Sequence, residues 1–283
     1  MKILKFAAGA LLVLLFQACS KDDNNSADTV TFTSSSQTVA ESAGTIKLPL
    51  TISKAVNSSV QVYFDISGTA SLNGDYEITT PSPITISAGA TTASIDIQLI
   101  DDGIIESSET LVVKLTASGS GLSLSSDTTK SIYTLTITDN DTAPTSDLQV
   151  DLTWGNGGDD DINKEDLNLY ITNNVVIDNG SITSFDVYAK SENTTGFETA
   201  TLKSDATDGD YYIAVAYNSG SSAVNFKINL NGPGYTNSTA TGSFTTSDVG
   251  HAVFYGPITK NGTSFGRVAA PEPASFYKPV VFP

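Results

Sequence analysis

Apolar and polar residues alternate over short runs along this chain, and no long stretch keeps the 3.6-residue apolar spacing of an amphipathic helix. Thr45 to Ile52, Val60 to Ile66, Ile84 to Ser87, Ala93 to Ile100, Thr110 to Thr116 and Ser131 to Thr138 are rich in Val, Ile, Thr, Tyr and Phe. Gly, Asn, Asp and Ser clusters separate them. With Val30 to Thr33 in front, about seven strands are predicted over residues 29–141, the number an immunoglobulin-like sandwich uses. Thr142-Ala143-Pro144-Thr145-Ser146 breaks the alternation and predicts a linker over 142–147.

A second series follows: Leu148 to Trp154, Leu167 to Thr172, Ser184 to Lys190, Thr199 to Leu202, Tyr211 to Tyr217, Val224 to Leu230, Ala240 to Phe244 and Ala252 to Tyr255. It predicts another sandwich over 148–265. The tail 266–283, with four prolines in its last 13 residues, is expected to be extended or loosely packed. Each half is long enough to bury a core without disulfides. The expected architecture is therefore all-β, with two tandem immunoglobulin-like β-sandwiches.

The amino terminus follows a different logic. Lys2 and Lys5 precede the apolar run Ala7 to Phe16, which is too short to span a bilayer and fits the core of a signal peptide over 1–18. Phe16-Gln17-Ala18-Cys19 resembles the lipobox of bacterial lipoproteins, although Leu usually stands where Phe16 does. That resemblance implies cleavage before Cys19 and lipidation of its thiol; the competing reading is an ordinary secretion signal cut nearby. Residues 19–28 are a polar tether, and Ser20-Lys21-Asp22-Asp23 resembles the export signal of lipoproteins displayed on the outer membrane. The resemblance implies a protein anchored in the outer membrane by its lipid and exposed at the cell surface.

Charge narrows the chemistry. The chain has 31 Asp and Glu against 14 Lys and Arg, a net charge of −17, and removal of Lys2 and Lys5 would take it to −19. No basic patch is available to neutralise phosphates, which excludes a nucleic-acid partner. One Cys and one His exclude intrachain disulfides and zinc sites made of several Cys and His, and a His-dependent triad would have to use His251. Oxygen ligands are abundant, and these suit a hard cation such as calcium.

The acids also gather where the predicted strands end. Glu41 lies in Thr38-Val39-Ala40-Glu41, Asp75 in Gly68 to Tyr76, Asp101, Asp102, Glu106 and Glu109 in one loop, and Asp139-Asn140-Asp141 closes the last strand. Loops of an antiparallel sandwich meet at its two poles, so these carboxylates can converge, and without a cation they would raise one another's pKa values. These elements, with Ala88-Gly89-Ala90-Thr91, resemble in order the pattern of the Calx-β domain over about 110 residues. The resemblance implies calcium bound at one pole by Glu41, Asp75, Asp101, Asp102, Glu106, Asp139 and Asp141. Glu109 is expected to face a neighbouring strand. Asn140 stands where some members carry an acid, which implies fewer ions. The competing reading is a sandwich whose solvated turn acids bind no metal.

In the second half, Leu152-Thr153-Trp154, Asp166-Leu167-Asn168-Leu169-Tyr170 and Gly209-Asp210-Tyr211 weakly resemble the β-sandwich found as a carboxy-terminal pre-peptidase module of secreted bacterial proteins. Asp159, Asp160, Asp161 and Asp166 could ligate a second calcium, but such a run is more often a solvated loop. A lone strand-end Trp such as Trp154 is more often core than a sugar-stacking platform. His251 reads as a packed strand residue. The expected function is a non-enzymatic, calcium-binding surface lipoprotein acting in adhesion or ligand binding, toward a protein or glycan partner. The alternatives are a glycan-binding accessory lipoprotein and, third, a glycosidase working through paired carboxylates.

Overall fold

A computed structural model describes residues 28–179, 181–194, 196–266 and the strand Ala274–Lys278. The expected signal peptide 1–18, the lipidation site Cys19, nearly all of the tether and most of the tail lie outside the described residues. Among the described residues helical geometry is limited to short 3-10 turns, and no helix is long and apolar enough to cross a membrane.

Two β-sandwiches follow one another. In the first, one sheet runs in the order Leu122–Leu124, Asp28–Phe32, Thr45–Ile52, Thr92–Leu99, Tyr76–Ile78, Ser71–Leu72. The facing sheet runs Ser36–Ala40, Ile132–Thr138, Glu109–Ser118, Val60–Gly68, Ile84–Ile86. Alternation decides the faces: Ile46, Leu48, Leu50 and Ile52 of one sheet and Val60, Val62, Phe64 and Ile66 of the other point inward and are buried, while their neighbours face outward. Burying such side chains stabilises the sandwich by about 1.5–3 kcal/mol each.

The second sandwich pairs the sheet Glu198–Leu202, Leu148–Trp154, Val224–Gly232, Tyr235–Phe244 with the sheet Ser181–Ser191, Asp166–Asp178, Gly209–Ser219, Ala252–Asn261, Ser264–Gly266. Its core holds Val150, Leu152, Trp154, Phe226, Ile228, Tyr217 and Phe244. Ala274–Lys278 pairs antiparallel with Ala252–Asn261, so part of the tail expected to be extended or loosely packed is a strand of this sheet.

The halves are joined by more than a linker. Gly158–Asp161 leaves the second sandwich and adds to the first sheet, parallel to Ser71–Leu72. Gly158 N–H donates to Ala70 O at 2.7 Å, the fully buried Tyr76 hydroxyl donates to Gly158 O, and Asn73 Nδ2 donates to Asp161 Oδ1 at 2.7 Å. Gly157 makes this approach feasible. Its φ of 73° suits glycine, and a Cβ there would lie 2.5 Å from Gly68 O and 2.8 Å from Thr69 O.

Candidate metal centre

Four loops converge where the first sandwich meets the second. Glu41 opens a 3-10 turn after Ser36–Ala40 and is buried. Asp75 sits in a tight turn in which Asn73 takes a φ of 64°; Ser71 N–H donates to Asp75 Oδ2 at 2.5 Å, and Ile100 N–H to Asp75 O at 3.0 Å. Asp102 accepts from Ile104 N–H at 2.7 Å. Asp139 holds two segments at once, accepting from Glu106 N–H at 2.9 Å and from Asp141 N–H at 2.7 Å. The local hydrogen bonds thus fix the carboxylates before any ion is considered.

Two groups of three result. One carboxylate oxygen each from Glu41, Asp139 and Asp141 lie within 4.8 Å of one another, and the same holds for Asp75, Glu106 and Glu109. A cavity of about 10 Å³ lies among Glu41, Asp75, Glu106, Glu109 and Asp139, room for a single water-sized particle. Glu41 Oε1 and Asp141 Oδ2 are buried and accept no hydrogen bond. A buried carboxylate oxygen with no donor is unfavourable unless something positive meets it.

The electrostatics point the same way. Burial, then the charges of Asp102, Asp139 and Asp141, push Glu41 up to about 8. Burial followed by Asp75 and Asp102 pushes Glu106 up to about 9, and burial followed by Asp75 and Glu106 pushes Glu109 up to about 10. Burial and the nearby acids raise Asp102 to about 6, and burial lifts Asp75 above the ordinary range. Each carboxylate resists ionisation because it is partly desolvated beside others. An all-oxygen, multiply acidic donor set with orphaned oxygens fits a hard divalent cation of irregular coordination, which is calcium's preference. When bound, such an ion supplies the positive charge that lets these groups ionise together.

Of the residues expected as ligands, Glu41, Asp139 and Asp141 form one group, while Asp75 and Glu106 belong to the other. Asp102 joins neither group but acts electrostatically on Glu41 and Glu106. Asp101 is exposed, outside both groups, and accepts from Asn140 Nδ2 at 3.2 Å. Asn140 also accepts from Ser42 N–H at 3.3 Å, so its amide laces three loops together. Glu109, expected to face a neighbouring strand, instead completes the second group. It begins the strand Glu109–Ser118 and shares the parity of Leu111, Val113 and Leu115, whose side chains are buried. At the sandwich's open end, that inward parity meets Asp75 and Glu106.

The acidic run of the second half forms no such group among the described residues. Asp160 accepts from Asn156 N–H and Nδ2, each at 2.9 Å, and Asp161 from Asn163 N–H at 3.0 Å as well as from Asn73. The run thus serves as a docking strand, a role for which the sequence pattern gave no sign. Trp154 is buried, donates to Ile162 O at 2.9 Å and meets Phe197 edge-on at 5.5 Å, as a core side chain does. His251 directly precedes the strand Ala252–Asn261 and is half-buried.

Sequence reasoning missed what the second sandwich brings to this pole. In the strand Leu148–Trp154, Val150, Leu152 and Trp154 face its core, leaving Gln149, Asp151 and Thr153 on the opposite face. Lys227 pairs with Thr153 across to Val224–Gly232 and belongs to that face. A cleft of about 560 Å³ separates the two halves, with Asp75, Glu106 and Glu109 on one side and Thr153, Trp154, Phe226 and Lys227 on the other. The Lys227 charge counters, in part, the upward shifts of Glu106 and Glu109. Asp151 stands at an ordinary polar position of the alternating strand Leu-Gln-Val-Asp-Leu-Thr-Trp, so the sequence carried no signal for it.

With this geometry in view, residues 23–141 match the family model of the Calx-beta domain. The first sandwich is a Calx-beta domain. The apo form of the Calx CBD1 domain is 22% identical over 40% of this chain and 98% of that one, with a TM-score of 0.34. The CBD12 structure from CALX1.2 is 15% identical over 74% and 83%, with a TM-score of 0.35. A carbohydrate-binding candidate from Bacteroides ovatus is 12% identical over 75% and 69%, with a TM-score of 0.32. No curated protein matches the chain. The Calx-beta domain accounts for the acidic pole, and the second sandwich is packed against that pole.

Proposed function

We propose that the protein is a non-enzymatic, calcium-binding lipoprotein of the outer membrane, displayed at the cell surface, where it serves adhesion or ligand binding. The observation that carries the metal reading is the paired acidic groups with their orphaned oxygens, Glu41 Oε1 and Asp141 Oδ2, at the junction pole. Calx-beta domains are calcium-binding domains, and the local hydrogen bonds here hold the donors in place without an ion. Calcium permits Glu41, Asp75, Glu106, Glu109 and Asp141 to ionise together. The ion then neutralises a pole whose loops the hydrogen bonds already hold. The anchor reading rests on the Phe16 to Cys19 segment and the polar residues that follow it.

A glycan ligand is the second reading, and the cleft favours it. At about 560 Å³ it falls in the size range of small-molecule sites, and hydroxyls of Thr69, Ser71, Thr153, Thr241 and Ser243 line it beside the acids. A glycan array probed with and without calcium separates this reading from protein-directed adhesion.

The metal reading is tested by thermal denaturation. Calcium at a hundredfold above its Kd adds about 2.7 kcal/mol of stability per site, so the melting temperature rises. Asp75→Asn combined with Glu106→Gln removes most of that rise. An intact protein whose melting temperature ignores calcium would refute the metal reading.

A further inference from the structure

The outer face of Leu148–Trp154 does something no strand of a free-standing sandwich needs to do. Asp151 has no solvent exposure, although it lies on the face away from its own core. Within the second sandwich its carboxylate accepts from Thr199 Oγ1 at 2.9 Å and from Gln149 Nε2 at 2.9 and 3.2 Å. It also accepts the backbone N–H of Ile105, which belongs to the acidic loop of the Calx-beta domain. Gln149 Nε2 reaches Gly103 O of that same loop at 2.7 Å. Two adjacent outward residues of the second sandwich therefore clasp the loop segment 103–105, between Asp102 and Glu106.

A second grip holds the other ligand-bearing turn. Gly158–Asp161 pairs with Ser71–Leu72, and Asp161 takes the Asn73 amide at 2.7 Å, two residues from Asp75. The turn 71–76 and the loop 101–109 carry Asp75, Asp102, Glu106 and Glu109, and the second sandwich fastens both. Side chains that orient a metal's ligands without touching the metal typically change its affinity by about 10- to 100-fold when removed.

We infer that the second sandwich is a working part of the calcium pole, with Asp151 and Gln149 as positioning residues that hold the 101–106 loop in its ion-binding shape. The inference rests on the calcium reading above. Calcium binding and domain docking are then thermodynamically linked, and the linkage is reciprocal. The junction strengthens calcium binding, and calcium tightens the junction. Asp151 does this through hydrogen bonds, holding the loop's backbone while keeping its own lone pairs filled by Thr199, Gln149 and Ile105.

The test uses the full mature chain. Calcium affinity is measured by titration calorimetry for the parent protein, Asp151→Ala, Asp151→Asn and Gln149→Ala. Hydrogen exchange is followed in peptides covering 100–109 and 148–162. Asp151→Ala is expected to weaken calcium binding about tenfold or more, and Asp151→Asn, which keeps an acceptor for Ile105, to recover most of the loss. Gln149→Ala leaves the buried acid in place and is expected to weaken binding by a smaller factor, which keeps the test informative if Asp151→Ala fails to fold. Calcium added to the parent protein slows exchange in 148–162, a segment whose acids join neither group of three carboxylates, and Asp151→Ala abolishes that slowing. A purely structural Asp151 would lower stability without altering this response. The inference is overturned if the parent binds calcium and all three variants bind it equally, or if calcium protects only the first domain. A parent that binds no calcium overturns the calcium reading and this inference with it.

Discussion

In calcium-free buffer the protein should become more stable as it is acidified from pH 8 to pH 5. The reason is local to the acidic pole. Glu106 is held at about 9 against 4.5 in the unfolded chain, Glu41 at about 8 and Glu109 at about 10, burial being the largest cause in each. Between about 4.5 and those folded values, the native protein keeps protons that the unfolded chain has released. The stabilisation is complete below the unfolded value and disappears as pH rises through the folded one. One retained proton corresponds to about 1.4 kcal/mol per pH unit. Glu106 alone would therefore contribute about 4 kcal/mol between pH 5 and pH 8, large beside a typical domain stability of about 5–15 kcal/mol. Asp96, lowered chiefly by its hydrogen bond from Lys47, acts in the opposite sense but only below about pH 4, outside this window. The assay is urea denaturation of decalcified protein at pH 5, 6, 7 and 8, followed by the fluorescence of its one tryptophan, Trp154. Saturating calcium should flatten the profile, since the ion replaces the protons. A calcium-free midpoint that is level, or that rises with pH, would refute the reasoning.

The junction and the proposed anchor give further expectations. Gly157→Ala places a Cβ 2.5 Å from Gly68 O at a positive φ; a loss of about 1–3 kcal/mol is expected, with the single urea transition splitting into two as the halves uncouple. Tyr76→Phe removes the hydroxyl bond to Gly158 O and should destabilise by about 1 kcal/mol, read from the urea midpoint, with the calcium-dependent rise in melting temperature reduced. Cys19→Ser should move the protein from the membrane fraction to the soluble fraction of cells, as seen by fractionation and immunoblotting.

Much of the fold is legible in the sequence because its long strands have one buried face. Thr45–Ile52 and Val60–Gly68 alternate over eight and nine residues, enough to fix both the element and its orientation. Ser71–Leu72, Tyr76–Ile78 and Leu122–Leu124 are only two or three residues long, too short for a period to register. Candidate ligands in turns could be picked out because the acids gather at strand ends in four spaced clusters. Glu109 was misplaced because the carboxylate's direction depends on strand parity, and that needs the exact start of Glu109–Ser118. Asp151 was invisible for a different reason. Its burial comes from the other half of the chain, and a single strand's pattern carries no record of what covers its outer face.

The central claim is that the converging carboxylates of the Calx-beta domain bind calcium. Calorimetric titration of calcium into the calcium-depleted protein, in excess magnesium, tests it most directly. The account predicts saturable binding that is weakened in Glu41→Gln and lost when Glu41→Gln is combined with Glu106→Gln. No saturable binding by the parent protein, or unchanged binding in the double variant, would contradict it.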